Sequence, residues 1–447
     1  MSNRLKPYDE YKETGLLWLN SVPEHWQLKK IKHLFTERVE KGYPEEPLLA
    51  ATQTKGVVPK NLYESRTVTA EKDLHLLKLV KVGDFVISLR SFQGGIEYAY
   101  YQGIISPAYT VITPNSEINR GYFKHLAKSR LFLELLKLCV TGIREGQNID
   151  YSMLRDSDIP LPPKEEQDQI VRYLDSKLAK INKYIKNKKK LIELLKEQKQ
   201  AIINQAVTKG LDPNARMKPS GVEWLGDIPE GWEVTQVGKI YDIELGKMLQ
   251  PNKEDVSDTL EKYLCALNVF WDRIDFHNVK KMWFSEKDKV KYKIEIGDLI
   301  VVEGGDVAVS CIWNGAVEPC YIQNAVHRVR EKGYGKNKFL YYWLKSLKDM
   351  GYIDLICNKA TFAHFTKEKF TRLFIFLPPL AEQQQIVAYI ESKTQAIDKA
   401  IEIIKKEIDL ITEYRTSLIS AVVTGKVDVR NIEVEDVIEE IEEDVEA

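Results

Sequence analysis

The residues best suited to chemistry in this chain sit in polar, glycine-bearing loops rather than in a cluster of acids, bases or nucleophiles. Arg90-Ser91-Phe92-Gln93-Gly94-Gly95 places a guanidinium fork, a carboxamide and two backbone-flexible glycines between two strand-like runs, Val86-Ile87-Ser88-Leu89 and Ala108-Tyr109-Thr110-Val111-Ile112. A guanidinium fork matches the two acceptors of guanine, and a carboxamide matches the donor and acceptor of adenine. Each good pair is worth about 1–3 kcal/mol of discrimination. Side chains able to make such contacts in the first half are Thr52, Gln53, Thr54, Lys55, Arg90, Ser91, Gln93, Tyr98, Arg144 and Gln147. In the second half they are Asn268, Trp271, Arg273, Trp313, Asn314, His327, Lys359, Thr361 and His364.

Catalytic constellations are absent from the sequence. There is no Gly-x-x-x-x-Gly-Lys-Ser/Thr phosphate loop, and no Asn-Pro-Pro-aromatic or Asp-Pro-Pro-Tyr tetrapeptide of the kind an amino-methyltransferase needs. Gly-x-Gly-x-x-Gly, His-Glu-x-x-His and Gly-x-Ser-x-Gly are missing too. The seven histidines are dispersed, and Glu10-x-Lys12 and Glu197-x-Lys199 have nuclease-like spacing without a preceding strand and partner aspartate. The five cysteines, at 139, 265, 311, 320 and 357, form no Cys-x-x-Cys pair. They read as reduced thiols of a cytoplasmic protein, with neither zinc nor a disulfide framework. The chain is thus expected to carry no cofactor, no metal and no catalytic residue.

What must position the loops is a framework that occurs twice. Trp18-Leu19-Asn20-Ser21-Val22-Pro23-Glu24-His25-Trp26 recurs as Trp224-Leu225-Gly226-Asp227-Ile228-Pro229-Glu230-Gly231-Trp232. Gly83-Asp84-Phe85-Val86-Ile87 recurs as Gly297-Asp298-Leu299-Ile300-Val301, and Leu161-Pro162-Pro163 as Leu377-Pro378-Pro379. Glu166-Gln167-x-Gln169-Ile170-Val171-x-Tyr173 returns 216 residues later as Glu382-Gln383-x-Gln385-Ile386-Val387-x-Tyr389. The offset drifts from 206 to 216 within the globular parts and is constant from there to Asp212 and Asp428. Length can therefore vary in the globular parts, whereas register matters in the segment after each of them.

The segments after each Leu-Pro-Pro carry an apolar period of 3.5 residues. The positions are Ile170, Leu174, Leu178, Ile181, Ile185, Lys188, Ile192, Leu195, Lys199, Ile202 and Ala206. Their second-copy counterparts are Ile386, Ile390, Thr394, Ile397, Ile401, Ile404, Ile408, Ile411, Arg415, Leu418 and Val422. Proline suits the entry to a helix, and Gly210 and Gly425 suit a left-handed cap at its exit. Residues 164–207 would span about 66 Å at ~1.5 Å per residue. Antiparallel pairing of the two helices is expected, with the opposite face of the first rich in lysine: Lys180, Lys183, Lys186, Lys188, Lys189 and Lys190. In the globular halves, residues 48–115 read as short strands and turns, and helices are expected around 122–138 and 338–349. The fold class is α/β (α+β), as two tandem domains separated by two long antiparallel coiled-coil helices.

Hydrophobic residues make up 44% and charged residues 29%, an ordinary globular balance, and no apolar run is long enough to cross a membrane. The polar amino terminus gives no sign of export. The net charge of −1 conceals an asymmetry: residues 433–446 hold nine acidic and no basic side chains, so residues 1–432 carry −1 − (−9) = +8. A basic body is compatible with phosphate contacts. The acidic end reads as a solvated, disordered tail.

Together, the repeated Trp-Leu-x-x-Ile/Val-Pro-x-x-Trp opener, the Gly-Asp strand and the Leu-Pro-Pro-x-x-Glu-Gln helix entry resemble the specificity subunit of type I restriction–modification systems. The likeness extends to about Asn431. Gly103-Ile104-Ile105-Ser106-Pro107-Ala108-Tyr109 is similar to a segment of one subtype of its recognition domains, whereas the second half has Gln323-Asn324-Ala325-Val326 instead. The resemblance implies target-recognition domains at 1–163 and 209–379, spacer helices at 164–208 and 380–430, and an atypical acidic tail at 431–447. It also implies that each domain reads one half of a split, asymmetric double-stranded DNA target, while the helices set the spacing and dock two methyltransferase subunits. Motor–nuclease subunits would complete the complex, with S-adenosylmethionine, ATP and Mg on those partners. Two rival readings are a coiled-coil scaffold that binds only protein, and a self-sufficient nuclease with built-in recognition domains.

Overall fold

Pro163 and Pro379 each start a long helix in the same way. Their carbonyls accept two N–H groups of the first turn, Glu166 and Gln167 in one copy and Glu382 and Gln383 in the other, at 2.9–3.0 Å. A computed structural model describing residues 5–62, 73–142, 148–222, 226–357 and 364–434 gives these helices as Lys164–Lys209 and Leu380–Val423. Gly210 and Gly425 terminate them at φ +76° and +75°. Neither glycine can be replaced without strain. A Cβ at Gly425 would collide with Pro23, and one at Gly210 would press on Trp232 and Glu382.

None of the eleven seam positions in either helix is exposed, so the 3.5-residue period locates the buried stripe correctly. The chain divides into two units, Met1–Lys188 with Lys405–Ala447 and Lys189–Ile404, and each contains parts of both helices. In the first unit Ile170, Leu174 and Ile181 share a core with Leu418, Val422 and Val423. In the second, Ile203, Ala206 and Val207 share one with Ile386, Val387 and Ile390. Within the first unit Lys188 meets Glu407 at 2.9 Å, and within the second Lys199 meets Asp398 at 2.8 Å. As numbers rise on one helix they fall on the other, so the pairing in both units is antiparallel. Lys188 consequently belongs to the seam side and not to the outer lysine face.

Both globular parts are built on one plan. The first has a four-stranded antiparallel sheet ordered Phe35–Arg38, Thr110–Pro114, Phe85–Ile87, Glu97–Tyr98. The second has Tyr241–Leu245, Val326–Glu331, Leu299–Val302, Ser310–Ile312 in the same order. A two-stranded ribbon joins each opener to its helix entry, Gln27–Lys30 with Asp158–Leu161 and Glu233–Gln236 with Phe374–Leu377. The helix expected over 122–138 is two, Arg120–Leu126 and Arg130–Leu138, because Ser129 turns the chain and caps the second through Phe132 N. The helix expected over 338–349 is Asn337–Asp349.

The repeated residues prove to be buried ties. Trp26 and Trp232 donate their indole N–H to Glu166 and Glu382, at 2.9 and 3.0 Å. Gln167 bonds Asn119 N and the carbonyls of Glu117 and Pro162, and Gln383 bonds Lys336 N and the carbonyls of Tyr334 and Pro378. Asp84 takes Arg38 at 2.7 Å, and Asp298 takes Arg330 at 2.8 Å. Each tie satisfies polar groups that burial would otherwise leave costly.

Candidate nucleic-acid interface

In the first unit, strands Leu49–Thr52 and Gly56–Pro59 form a hairpin whose tip, Gln53-Thr54-Lys55, is exposed. The tip is fixed from within by Thr52, which accepts Lys55 N at 2.9 Å and donates to Gly56 O at 2.9 Å. The segment 90–95 is not the open loop expected: Ser91–Gly94 form a single helical turn. The two pieces lie side by side. A Cβ on Gly94 would come within 2.7 Å of the Gln53 side chain, and one on Gly95, at φ +90°, would strike the Ala127 carbonyl. Arg90 and Gln93 face outward beside the hairpin tip, and Tyr98 and the exposed Tyr100 stack edge to face at 4.9 Å next to Gly56.

In the second unit, Trp271 and Asp272 make the two-residue turn of a hairpin, Val269–Phe270 with Arg273–Ile274. Asp272 takes φ +63°, which aspartate tolerates better than most residues. Arg273 is exposed and its guanidinium lies 4.4 Å from the centre of the Phe270 ring. Trp271 packs half-buried against Tyr341, with Lys345 over its ring. Asn314 is exposed beyond Ser310–Ile312, and His364 is exposed beside Gly304.

Five of the residues expected to read bases are buried and serve the fold. Thr52 shapes the hairpin tip, and Ser91 receives Ser88 N. Asn268 ties Cys265 N to the Asp275 carbonyl. Trp313 is fully enclosed in a core with Ile294 and Val309. His327 is enclosed as well, its Nε2 on the Phe365 carbonyl at 2.9 Å, and burial lowers its pKa to about 4, so it stays neutral. A side chain with no solvent-facing surface cannot meet a base edge. Arg144, Gln147, Lys359 and Thr361 lie outside the described residues, as does the acidic stretch 435–447.

Lys128 and Glu97 have no prominence in the sequence, yet they meet at this surface. Lys128 Nζ donates to the carbonyls of Gly94 at 2.9 Å and Gln53 at 3.2 Å, and to Glu97 Oε1 at 2.6 Å. In sequence Lys128 is one lysine among many. The sole hint at Glu97 is an acid between Ile96 and Tyr98 in a strand-like stretch.

All five cysteines are unpaired thiols, and burial pushes Cys311 up to about 11 and Cys320 up to about 12. Among the described residues no trio of His, Cys, Asp or Glu is placed to hold a metal ion, and no helix is long and apolar enough to cross a membrane.

Comparison with known proteins assigns the class. The model of the type I restriction modification DNA specificity domain matches twice, over residues 23–194 and 229–413, and the chain belongs to that family. It is 25% identical to a Methanocaldococcus jannaschii protein described as the MjaX type I restriction enzyme specificity subunit, covering 94% of this chain and 97% of that one. Its fold is shared with a chain from a structural study of type I R-M complex assembly, at TM-score 0.69 and 17% identity over 91% of this chain and 99% of that one. The HsdS subunit from Thermoanaerobacter tengcongensis is similar at TM-score 0.50 and 16% identity, over 90% and 96%. The two tandem domains and two long helices are therefore those of a DNA specificity subunit, and specificity subunits are the non-catalytic recognition component of their enzymes.

Proposed function

We propose that each globular half reads one half of a bipartite, asymmetric double-stranded DNA target, and that the helix pair sets the spacer between the halves. In the first half the contacts fall to Gln53, Thr54, Lys55, Arg90 and Gln93, flanked by Tyr98. In the second they fall to Arg273, Asn314 and His364, with Trp271 shaping the hairpin. Arg144, Gln147, Lys359 and Thr361 complete the set. The helices also dock two methyltransferase subunits, and motor–nuclease subunits join them. S-adenosylmethionine, ATP and Mg then act on those partners, in the cytoplasm, where the DNA is.

One observation carries this reading. The tie residues Trp26/Trp232, Asp84/Asp298, Glu166/Glu382 and Gln167/Gln383 recur position for position, with the two aspartates taking their arginines from different strands, while the exposed tips are unlike. One scaffold presenting two unlike polar surfaces suits two unlike half-sites. Co-expression with a cognate modification subunit, followed by mapping of methylated adenines across a genome, tests it. A split motif with two unlike halves is the expected result. A single undivided motif would refute the two-reader arrangement.

A further inference from the structure

Lys128 enters the first unit's surface from the turn between Arg120–Leu126 and Arg130–Leu138, and its ammonium is shared by three oxygens. Two are main-chain carbonyls, Gln53 at the hairpin tip and Gly94 at the end of the helical turn. The third is the carboxylate of Glu97, whose residue is only 3% exposed. Its second oxygen, Oε2, is buried without a hydrogen-bond partner. A carboxylate so enclosed needs a compensating charge, and Lys128 is its ion-pair partner. The ammonium's remaining protons go to the two carbonyls, which satisfies its three donors. Glycine at 94 permits the Gln53 side chain to lie against the turn, and glycine at 95 permits the turn to close on Ala127. The hairpin tip at Gln53 and the stretch 94–97 are thus held at one separation by a single cation that comes from a third segment.

We propose that the Lys128–Glu97 pair is a positioning latch for the first half-site: it fixes Gln53-Thr54-Lys55 relative to Arg90 and Gln93, so that both groups meet the DNA in one register. Neither latch residue touches a base. The inference rests on the assignment of that surface to DNA reading. Burial opposes the charged form and pushes the Glu97 carboxyl up to about 7 against the pull of Lys128, so the pair depends on the lysine for its charge.

The test is adenine-methylation mapping by the complex of the full chain with its modification subunit. Lys128→Met paired with Glu97→Gln removes the latch without stranding a buried charge, so the unit should melt close to the unmodified protein. The bases of one half-site should lose discrimination by about tenfold or more, the scale of one good base contact. The other half-site and the spacer should not change. Lys128→Arg, which keeps a charge-assisted donor, should restore part of the loss, and a merely structural role would not confine the change to one half-site. Unaltered discrimination in the double variant overturns the latch. Gln53→Ala with Arg90→Ala separates the two ideas. If that pair loosens the half-site while the latch variant does not, the latch alone fails. If it leaves the half-site intact, the reading surface lies elsewhere and both proposals fall.

Discussion

At the scale of single residues, the repeated motif letters are structural, whereas the variable ones divide between exposed tips and buried supports. Asp84 is 2% exposed and bonds Arg38, Thr113 and Lys81 N, and Asp298 makes the matching fork with Arg330. Removing one partner of such a buried pair typically costs about 3–5 kcal/mol. Asp84→Ala should therefore destabilise the first unit by that order in urea melts, and a loss below about 1 kcal/mol would show the pair to be unimportant. His327 supplies a pH test. Its folded pKa, about 4, lies below the ordinary 6.5 because burial disfavours the imidazolium. Between these values the unfolded chain binds the proton and the folded one does not. Stability due to His327 is thus fully present above pH 6.5 and falls as the pH drops toward 4. At about 1.36 kcal/mol per pH unit the change is of order 3 kcal/mol. His327→Gln should flatten that part of the stability profile; an unchanged slope would place the acid sensitivity elsewhere.

At the scale of elements, the helices are where sequence reading succeeded most fully and the tips where it succeeded least. Every seam position from Ile170 to Ala206 and from Ile386 to Val422 is at least half-buried, because a helix fixes its side-chain directions by periodicity alone. No such rule governs loops. Thr52, Ser91 and Asn268 looked like readers because polar residues in turns do, yet each turns inward to satisfy neighbouring backbone groups. Trp313 and His327 sit within or beside strands whose inward face only the completed sheet defines. A heptad removed from each helix shortens both by about 10 Å. DNA rises about 3.4 Å per base pair, so the preferred spacer should contract by about 3 base pairs with both half-sites unaltered. A changed half-site in methylation maps would contradict the ruler.

At the scale of the whole molecule, the repeat closes on itself. Asp428 N donates to Lys6 O at 2.8 Å within the first unit. Subtracting 216 from 428 and adding 206 to 6 both give 212, the place where the second unit runs on as continuous chain through Asp212. The first unit thus makes with two chain segments the joint that the second makes with one. A permuted chain starting at Asp212, with a flexible linker from Val434 to Leu5, should fold with a melting temperature near the parent's and direct methylation to the same target. Failure to fold, with the linker lengthened, would show that continuity at 212 is required.

The sequence by itself determined the twofold repeat, the two helices with their buried stripes, and the glycines that end them. These follow from local rules of periodicity, capping and recurrence, which act within a few residues. Only the tertiary structure decided that the repeated Trp, Glu, Gln and Asp are mutual partners, since Trp26 and Glu166 are 140 residues apart. It alone separated exposed Gln53, Arg90 and Arg273 from enclosed Trp313 and His327, and it alone brought Lys128 to Gln53, Gly94 and Glu97. Burial and long-range hydrogen bonding are properties of assembled surfaces, and no segment carries them before the chain has folded around it.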